Sequence, residues 1–505
     1  MGKLHVLISL ACLLAATAFA SPAAAPEVMP QGTVDFEAVK AMAAKLAAEP
    51  YREPAVIQGD LRKLSYDQYR ALRSRPDTAL WRDGNSLFHV EFFPAGFIYD
   101  RPVQIDVVDK GASTPVAISP DQFDFSDTGL KQPPRDLALA GFRITYPINR
   151  PDKFDEVISF LGASYFRTIG RGQVYGASAR GLAINTGIGE PEQFPIFRQF
   201  WLVKPADGAN EVTVWALLDA PDATGAFAFV IRPGGRTVVD THAFLYMRND
   251  VKLLAIAPLT SMFFAGKMSP PRDDYRPEIH DSDGLYIATG SGERIWRPLS
   301  NPSGLAISSF TDTNPRGFGL MQRDRDFEHY QDSGAQLQAR PSLWVEPEPN
   351  WGDGEVRLVE IPSPAETNDN IVALWVSRWP ARKGETKEYK YRLSALDDEA
   401  ALSPLARVVS TRSGVVPAAD GQRRYVVEFA GSALDALAAE QPVSADVSLS
   451  SGKLLRTHVE RVGTPGRWRV VIDFQPDGKK SVDLRASLAL RGQKLTETWA
   501  MVWRP

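Results

Sequence analysis

From residue 88 onward the hydrophobicity of this chain alternates with a period of two. Phe88, Val90 and Phe92 alternate with His89 and Glu91, and Val103, Ile105 and Val107 repeat the pattern. It recurs in Phe142-Arg143-Ile144-Thr145-Tyr146, in Val212-Thr213-Val214-Trp215 and from Phe227 to Tyr246. Successive side chains of an extended strand face opposite sides, so this alternation specifies half-buried β-strands. Gly and Pro punctuation, as in Arg232-Pro233-Gly234-Gly235, separates the runs. Many strands without interleaved helices predict an all-β chain of antiparallel sandwiches rather than an α/β fold. With 44% of its 505 residues hydrophobic, the chain has the apolar material for a large core.

Helical spacing is confined to the start. Phe36, Val39, Met42, Ala43 and Leu46 share one helix face behind a capping Asp35, and Ser65-Tyr66-Asp67-Gln68 reads as a capping box. Pro76 is expected to end that second helix. A boundary is expected near residues 395–405, after the polar Lys383-Gly384-Glu385-Thr386-Lys387-Glu388 and the strand-like Tyr389-Lys390-Tyr391-Arg392-Leu393. Beyond it come four further strand signals: Arg424 to Phe429, Ala445 to Leu449, Trp468 to Phe474, and Thr496 to Trp503. Their number and spacing fit an immunoglobulin-like sandwich that lacks the cysteine pair. The expected units are therefore an N-terminal β-sandwich domain over 26–395 and an immunoglobulin-like domain over 405–505.

The first twenty residues have a different character. Lys3 precedes an apolar run from Val6 to Ala16, and Ala18-Phe19-Ala20 has the small-x-small form of a signal-peptidase site. Residues 1–20 are thus expected to be a signal peptide cleaved after Ala20, exporting the chain to a bacterial periplasm. The single cysteine, Cys12, lies inside that leader. The exported chain then has no thiolate for catalysis, metal binding or disulfides, and its stability rests on its core. No later segment has the ~20 apolar residues of a membrane-spanning helix, so no stable membrane insertion is expected. Charge excludes another class of partner. With 57 basic and 61 acidic residues and no long basic run, the footprint of a nucleic-acid binder is missing. A neutral polar ligand is the natural expectation.

Several common chemistries fail on spacing. Gly170-Arg171-Gly172-Gln173-Val174-Tyr175-Gly176 is one residue too long for a dinucleotide fingerprint, and Gly176-Ala177-Ser178-Ala179-Arg180-Gly181 misses a nucleophile elbow by one. Gly266-Lys267 is followed by Met268, where a P-loop needs Ser or Thr. Histidines are few and lack His-x-x-x-His spacing, so neither a metal nor another cofactor is expected.

Carboxylates remain. Glu278-Ile279-His280-Asp281-Ser282-Asp283-Gly284 packs three acids and a histidine into one short string. Crowded carboxylates push one pKa upward, which prepares an acid or a base. A solvated polar turn at Asp283-Gly284 is the competing reading, and a calcium loop fits poorly because the EF-hand pattern is not met. A second acidic string, Glu366-Thr367-Asn368-Asp369-Asn370, directly precedes Ile371-Val372-Ala373-Leu374-Trp375. An acid there could protonate a glycosidic oxygen while Trp375 packs on a sugar; a plain loop entering a strand is the alternative. Trp296-Arg297 and Tyr165-Phe166-Arg167 join aromatics to arginines, which suits sugar stacking and hydroxyl recognition but equally suits structural cation–π pairs.

Taken with Phe88-His89-Val90-Glu91-Phe92-Phe93-Pro94-Ala95-Gly96-Phe97 and Gly162-Ala163-Ser164-Tyr165-Phe166-Arg167, these two acidic strings resemble those of the bacterial periplasmic glucans biosynthesis protein G/D family (MdoG/OpgG, OpgD). The resemblance covers nearly the whole exported chain. It implies a large galactose-mutarotase-like antiparallel β-sandwich with a cleft, followed by the immunoglobulin-like domain. It also implies a role in making or shaping osmoregulated periplasmic glucans, as an inverting β-1,2-glucanase or transglycosylase. The implied general acid is Asp369 and the implied base Asp281, with Asp283 as the alternative. Tyr165, Arg167, His280, Asp283, Trp296, Arg297 and Trp375 are the expected substrate contacts. A non-catalytic alternative is a glucan-binding scaffold that serves an inner-membrane glucan glucosyltransferase. One position departs from the family pattern: Leu337 stands where relatives carry Tyr, and a lost hydroxyl there would alter a proton path.

Overall fold

The computed structural model describes residues 33–505, apart from Arg272, Ala418, Ala439, Thr464, Pro465 and Lys479. The expected leader lies outside the described residues. The chain is all-β, with 48% of residues in strands against 9% in helices.

Both expected helices form. The first, Phe36–Ala48, is capped by the Asp35 side chain, which accepts from the Ala38 N–H at 2.8 Å. Val39 and Ala43 on its buried face pack against Val108, Trp201 and Ala226. Its C-terminal carbonyls are satisfied by the Arg248 guanidinium, which donates to Leu46 O and Glu49 O. The second helix, Tyr66–Ala71, opens with the reciprocal Ser65/Gln68 capping box. It stops at Ala71, well before Pro76. Pro76 instead opens a 3₁₀ turn over Pro76–Thr78, a first-turn position where the missing proline N–H costs nothing.

Two large sheets follow. One has ten strands in the order His89–Pro94, Leu139–Arg150, Lys153–Leu161, Tyr165–Thr168, Ser178–Arg180, Leu254–Ser261, Ile371–Ser377, Asp353–Glu360 and Ala306–Thr313, with Leu182–Ile184 also paired to Leu254–Ser261. The other has fifteen strands, among them the hairpin ladder Ile196–Val203, Val212–Asp219, Ala223–Arg232 and Thr237–Met247. Phenylalanines fill the space between the sheets. Phe142, Phe160 and Phe166 of the first meet Phe200 and Phe229 of the second at centroid distances of 5.0 to 5.4 Å. The alternate-residue pattern read in the sequence places those rings on one face.

The C-terminal strands make a second sandwich. Arg407–Val415, Arg423–Ala430, Trp468–Gln475 and Lys453–Arg461 form a four-stranded sheet. Val427, Phe429 and Trp468 from it share a core with Leu484, Ala486 and Trp499. The opposing strands Val443–Leu449, Val482–Leu490 and Thr498–Trp503 extend the fifteen-stranded sheet, joined to it by a parallel pairing of Thr498 with Ile295 and Trp499 with Trp296. The segment near 395–405 falls between Thr386–Leu396 and Arg407–Val415, and the sheet runs continuously across that sequence boundary.

Candidate functional site

A three-residue strand, Phe263–Ala265, ties the two acidic strings together. On one side it pairs with Ile279–His280, and Asp281, the next residue, donates its N–H to Met262 O at 2.9 Å. On the other side it is held by the buried side chain of Asn370. The Asn370 amide accepts from the Phe263 N–H at 2.8 Å and donates to Phe263 O and Ile361 O, both at 3.0 Å. Asp369 therefore sits at the end of a loop whose base is fastened to the strand that also positions Asp281. Farther along that loop, Glu366 accepts from Arg276, which also binds Asp332 at 2.8 Å and Asp274.

The two aspartates meet different surroundings. Asp281 is nearly buried and ion-paired with the guanidinium of Arg340. Asp369 retains a water-accessible face, yet enough protein surrounds it that its carboxyl is pushed above the usual aspartate value. Desolvation is the larger cause, opposed by the positive charges of Arg167 and Arg340. Arg340 thus pairs with one aspartate and acts electrostatically on the other. Burial, then the neighbouring Arg167, brings its own pKa down to about 10, which leaves it charged at neutral pH. Tyr99 and Tyr165 complete the surroundings of Asp369: both phenols are pushed up by burial first, and the Asp369 charge adds to the rise.

The glycine strings that failed as nucleotide or nucleophile motifs hold these arginines in place. Ser178 Oγ accepts from Arg167 Nε at 2.8 Å, and the Val174 N–H donates to Ala339 O at 3.1 Å. A Cβ on Gly176 would lie 2.7 Å from Arg340 Cδ and 2.9 Å from its Cβ. Only the absence of a side chain lets Arg340 lie there.

Of the expected site residues, Asp369, Asp281, Tyr165 and Arg167 come together. The others are elsewhere. Trp375 is fully buried beside Trp351, with centroids 6.1 Å apart, so it is core rather than a sugar platform. Trp296 is buried beneath the Arg323 guanidinium, 3.5 Å from its ring centroid. Arg297 is buried in an ion pair with Glu360 at 3.0 Å. Both belong to a strand buried on its two faces, so alternation could not assign either a solvent-facing role. His280 is buried between Gln322 (2.9 Å) and Glu278 (3.2 Å) and stacks on Phe263. Asp283 is engaged by its own neighbours. One carboxylate oxygen accepts from the Arg323 and Asp324 N–H groups, and the other is buried without a partner. Its neighbours line a small cavity of about 60 Å³ against Val408–Thr411. The polar-turn reading of this string fails as well, because Glu278, His280, Asp281 and Ser282 are all buried. Leu337 is buried with Met262, Ile279 and Tyr330. Glu278, Asp324 and His329 lie within reach of one shared cation, but the Lys267 ammonium already pairs with Asp324 and stands 3.8 Å from Glu278.

The contributions of Arg340, Asn370, Tyr99 and Gly176 went unread in the sequence. For Asn370 a signal existed, since an Asn at the mouth of an apolar strand has few reasons to be buried except to bind backbone. For Gly176 and Arg340 there was none, because their contact joins residues far apart in the chain.

The fold and site define an all-β sandwich protein that sets a partly desolvated carboxyl beside an arginine-paired one. Residues 34–503 match the family described as "Periplasmic glucan biosynthesis protein, MdoG". The chain is 46% identical over 480 residues to glucans biosynthesis protein G of Ralstonia nicotianae, covering 92% of this chain and 95% of that protein. It is 43% identical to glucans biosynthesis protein G of Rhodopseudomonas palustris over the full length of both. It is 41% identical to the probable glucans biosynthesis protein D of Shewanella oneidensis, covering 99% of this chain and 94% of that protein. The chain belongs to this periplasmic glucan biosynthesis family.

Proposed function

We propose that the protein works in the periplasm, reached through its N-terminal leader, on osmoregulated periplasmic glucan. It acts there on β-1,2-linked chains as an inverting glucanase or transglycosylase, with Asp369 as general acid and Asp281 as base. The observation that carries this reading is the contrast around Arg340. An acid must hold its proton near neutral pH, and desolvation of Asp369 favours the protonated form. A base must be ionised, and Asp281 lies in an ion pair with the Arg340 guanidinium. Inversion requires such a pair, one carboxyl assisting departure of the glycosidic oxygen and the other deprotonating the attacking hydroxyl on the opposite face.

The burial of Asp281 behind Arg340 supports a particular route. A sugar ring does not fit against so enclosed a carboxylate, whereas a proton passed through a water or a substrate hydroxyl does. Tyr99, Tyr165 and the exposed Arg167 supply aromatic and hydrogen-bonding surface beside the acid.

Incubating the purified protein with linear β-1,2-glucan tests the proposal. Wild type is expected to yield shorter, cyclised or relinked products, and Asp369→Asn none while remaining folded. Turnover near the wild-type rate in that variant removes Asp369 from the role. A second reading, a glucan-binding scaffold serving a membrane glucosyltransferase, draws on Leu337, whose buried aliphatic side chain offers no hydroxyl for a proton path. It is supported instead if wild type binds the glucan and returns it unchanged.

A further inference from the structure

Ten residues beyond Asp369, past the far end of strand Ile371–Ser377, Trp379 is 66% exposed, the most exposed tryptophan among the described residues. The seven-residue strand between them alone spans roughly 20 Å. The Arg378 guanidinium lies 5.4 Å from its ring centroid, and the Trp379 backbone N–H donates to Ser377 Oγ at 3.3 Å, which fixes the turn that carries the indole. Next to it runs a groove of about 610 Å³ lined by Arg378 and Pro380, the residues flanking Trp379, while the indole stands outside that lining, at the groove's edge. That volume falls in the ~300–1,000 Å³ range of ligand sites.

The groove's chemistry narrows its occupant. Three cations, Lys252, Arg357 and Arg378, are matched by three acids, Asp312, Asp353 and Glu355. Several are already fixed by one another: Arg357 Nε donates to Glu355 at 2.7 Å, Thr313 Oγ1 donates to Asp353 at 2.7 Å, and Arg378 stands 3.8 Å from Asp353. A balanced, pre-organised lining gives no net attraction to an anionic polymer or an acidic lipid surface. It offers a dense set of donors and acceptors to a neutral, hydroxyl-rich ligand, and an aromatic face stacks on the C–H side of a sugar ring.

The geometry points to a second carbohydrate-binding site in this groove, with the exposed Trp379 at its edge, that holds a distant part of the same chain on which Asp369 acts. This assignment rests on the glucan reading above. Its consequence is avidity: a chain long enough to span both places is bound at two points, and a short one only at the first.

The test measures equilibrium binding of β-1,2-glucan to the full chain carrying Asp369→Asn, which prevents turnover, with and without Trp379→Ala. Trp379 is exposed, so its truncation leaves the core intact. Affinity for long linear glucan is expected to fall about tenfold, while affinity for an oligosaccharide of a few glucose units stays the same. Equal affinity of the two proteins for the long chain overturns the second site. Equal loss for long and short chains overturns it too, because the indole would then belong to the first site. If the parent binds no glucan of any length, the glucan reading itself fails, and the second site with it.

Discussion

Gly176→Ala isolates the role of Arg340, because it adds a single methyl at a place where the structure has no room for one. The new Cβ would stand 2.7, 2.9 and 3.1 Å from Arg340 Cδ, Cβ and Cγ. Contacts near the root of a side chain cannot be relieved by rotating its tip, so either Arg340 or the 174–178 segment must move. Gly176 has no positive φ, so alanine brings no backbone strain there. Taken alone, the change would stabilise by ~0.4–1 kcal/mol through the unfolded chain. Overpacking costs ~1–3 kcal/mol and wins, for a net loss of about 1–2 kcal/mol in a urea titration. Displacing Arg340 also removes the partner of Asp281. Turnover of linear β-1,2-glucan should therefore fall by at least about tenfold, equivalent to ~1.4 kcal/mol of barrier. Gly235→Ala is the control, since nothing lies within 4 Å of its added Cβ and its φ is not positive. It should leave both measurements near wild type. A Gly176→Ala protein as stable and as active as wild type would refute the argument that this glycine exists to seat Arg340.

Asn370→Ala removes three hydrogen bonds around Phe263 and Ile361. At ~1 kcal/mol net for each, denaturant unfolding should show a loss of about 3 kcal/mol, with turnover falling because the Asp369 loop is released; a loss under about 0.5 kcal/mol contradicts the fastening role. Trp375→Ala should destabilise by ~3–5 kcal/mol as a core truncation, and the milder Trp375→Phe should leave glucan affinity unchanged if the residue never touches sugar. Asp369 binds its proton more tightly in the folded chain than in the unfolded one. The stability linked to that proton is present below the ordinary aspartate pKa and is lost as pH rises through the elevated folded value. Asp369→Asn should therefore match wild type in acid and exceed it at neutral pH in chemical denaturation. Arg167→Gln removes a charge that lowers this carboxyl, so the alkaline limb of activity should move to higher pH.

The fold was legible wherever one face of an element meets solvent. Period-two alternation located the strands of both sandwiches, and the Asp35 cap and Ser65/Gln68 box located the helix starts. Pro76 misled because proline serves equally well as a terminator and as a first-turn residue. Strand Arg294–Pro298 is buried almost throughout. Its Trp-Arg pair therefore looked like a binding motif, when the arginine was there to pair with Glu360 across a core. Both acidic strings were visible as unusual concentrations of carboxylate. What joins them was not: Phe263–Ala265, the Asn370 amide and the Arg340 guanidinium act across long sequence separations, and local pattern carries no record of such contacts.

The chemistry is tested most directly by following the anomeric protons by NMR while purified wild-type protein acts on linear β-1,2-glucan. A partly desolvated acid working opposite an arginine-held base predicts that the first new anomeric centre has the α configuration, whether the acceptor is water or a sugar hydroxyl. A first-formed β centre, or a spectrum that never changes, would contradict the paired roles of Asp369 and Asp281.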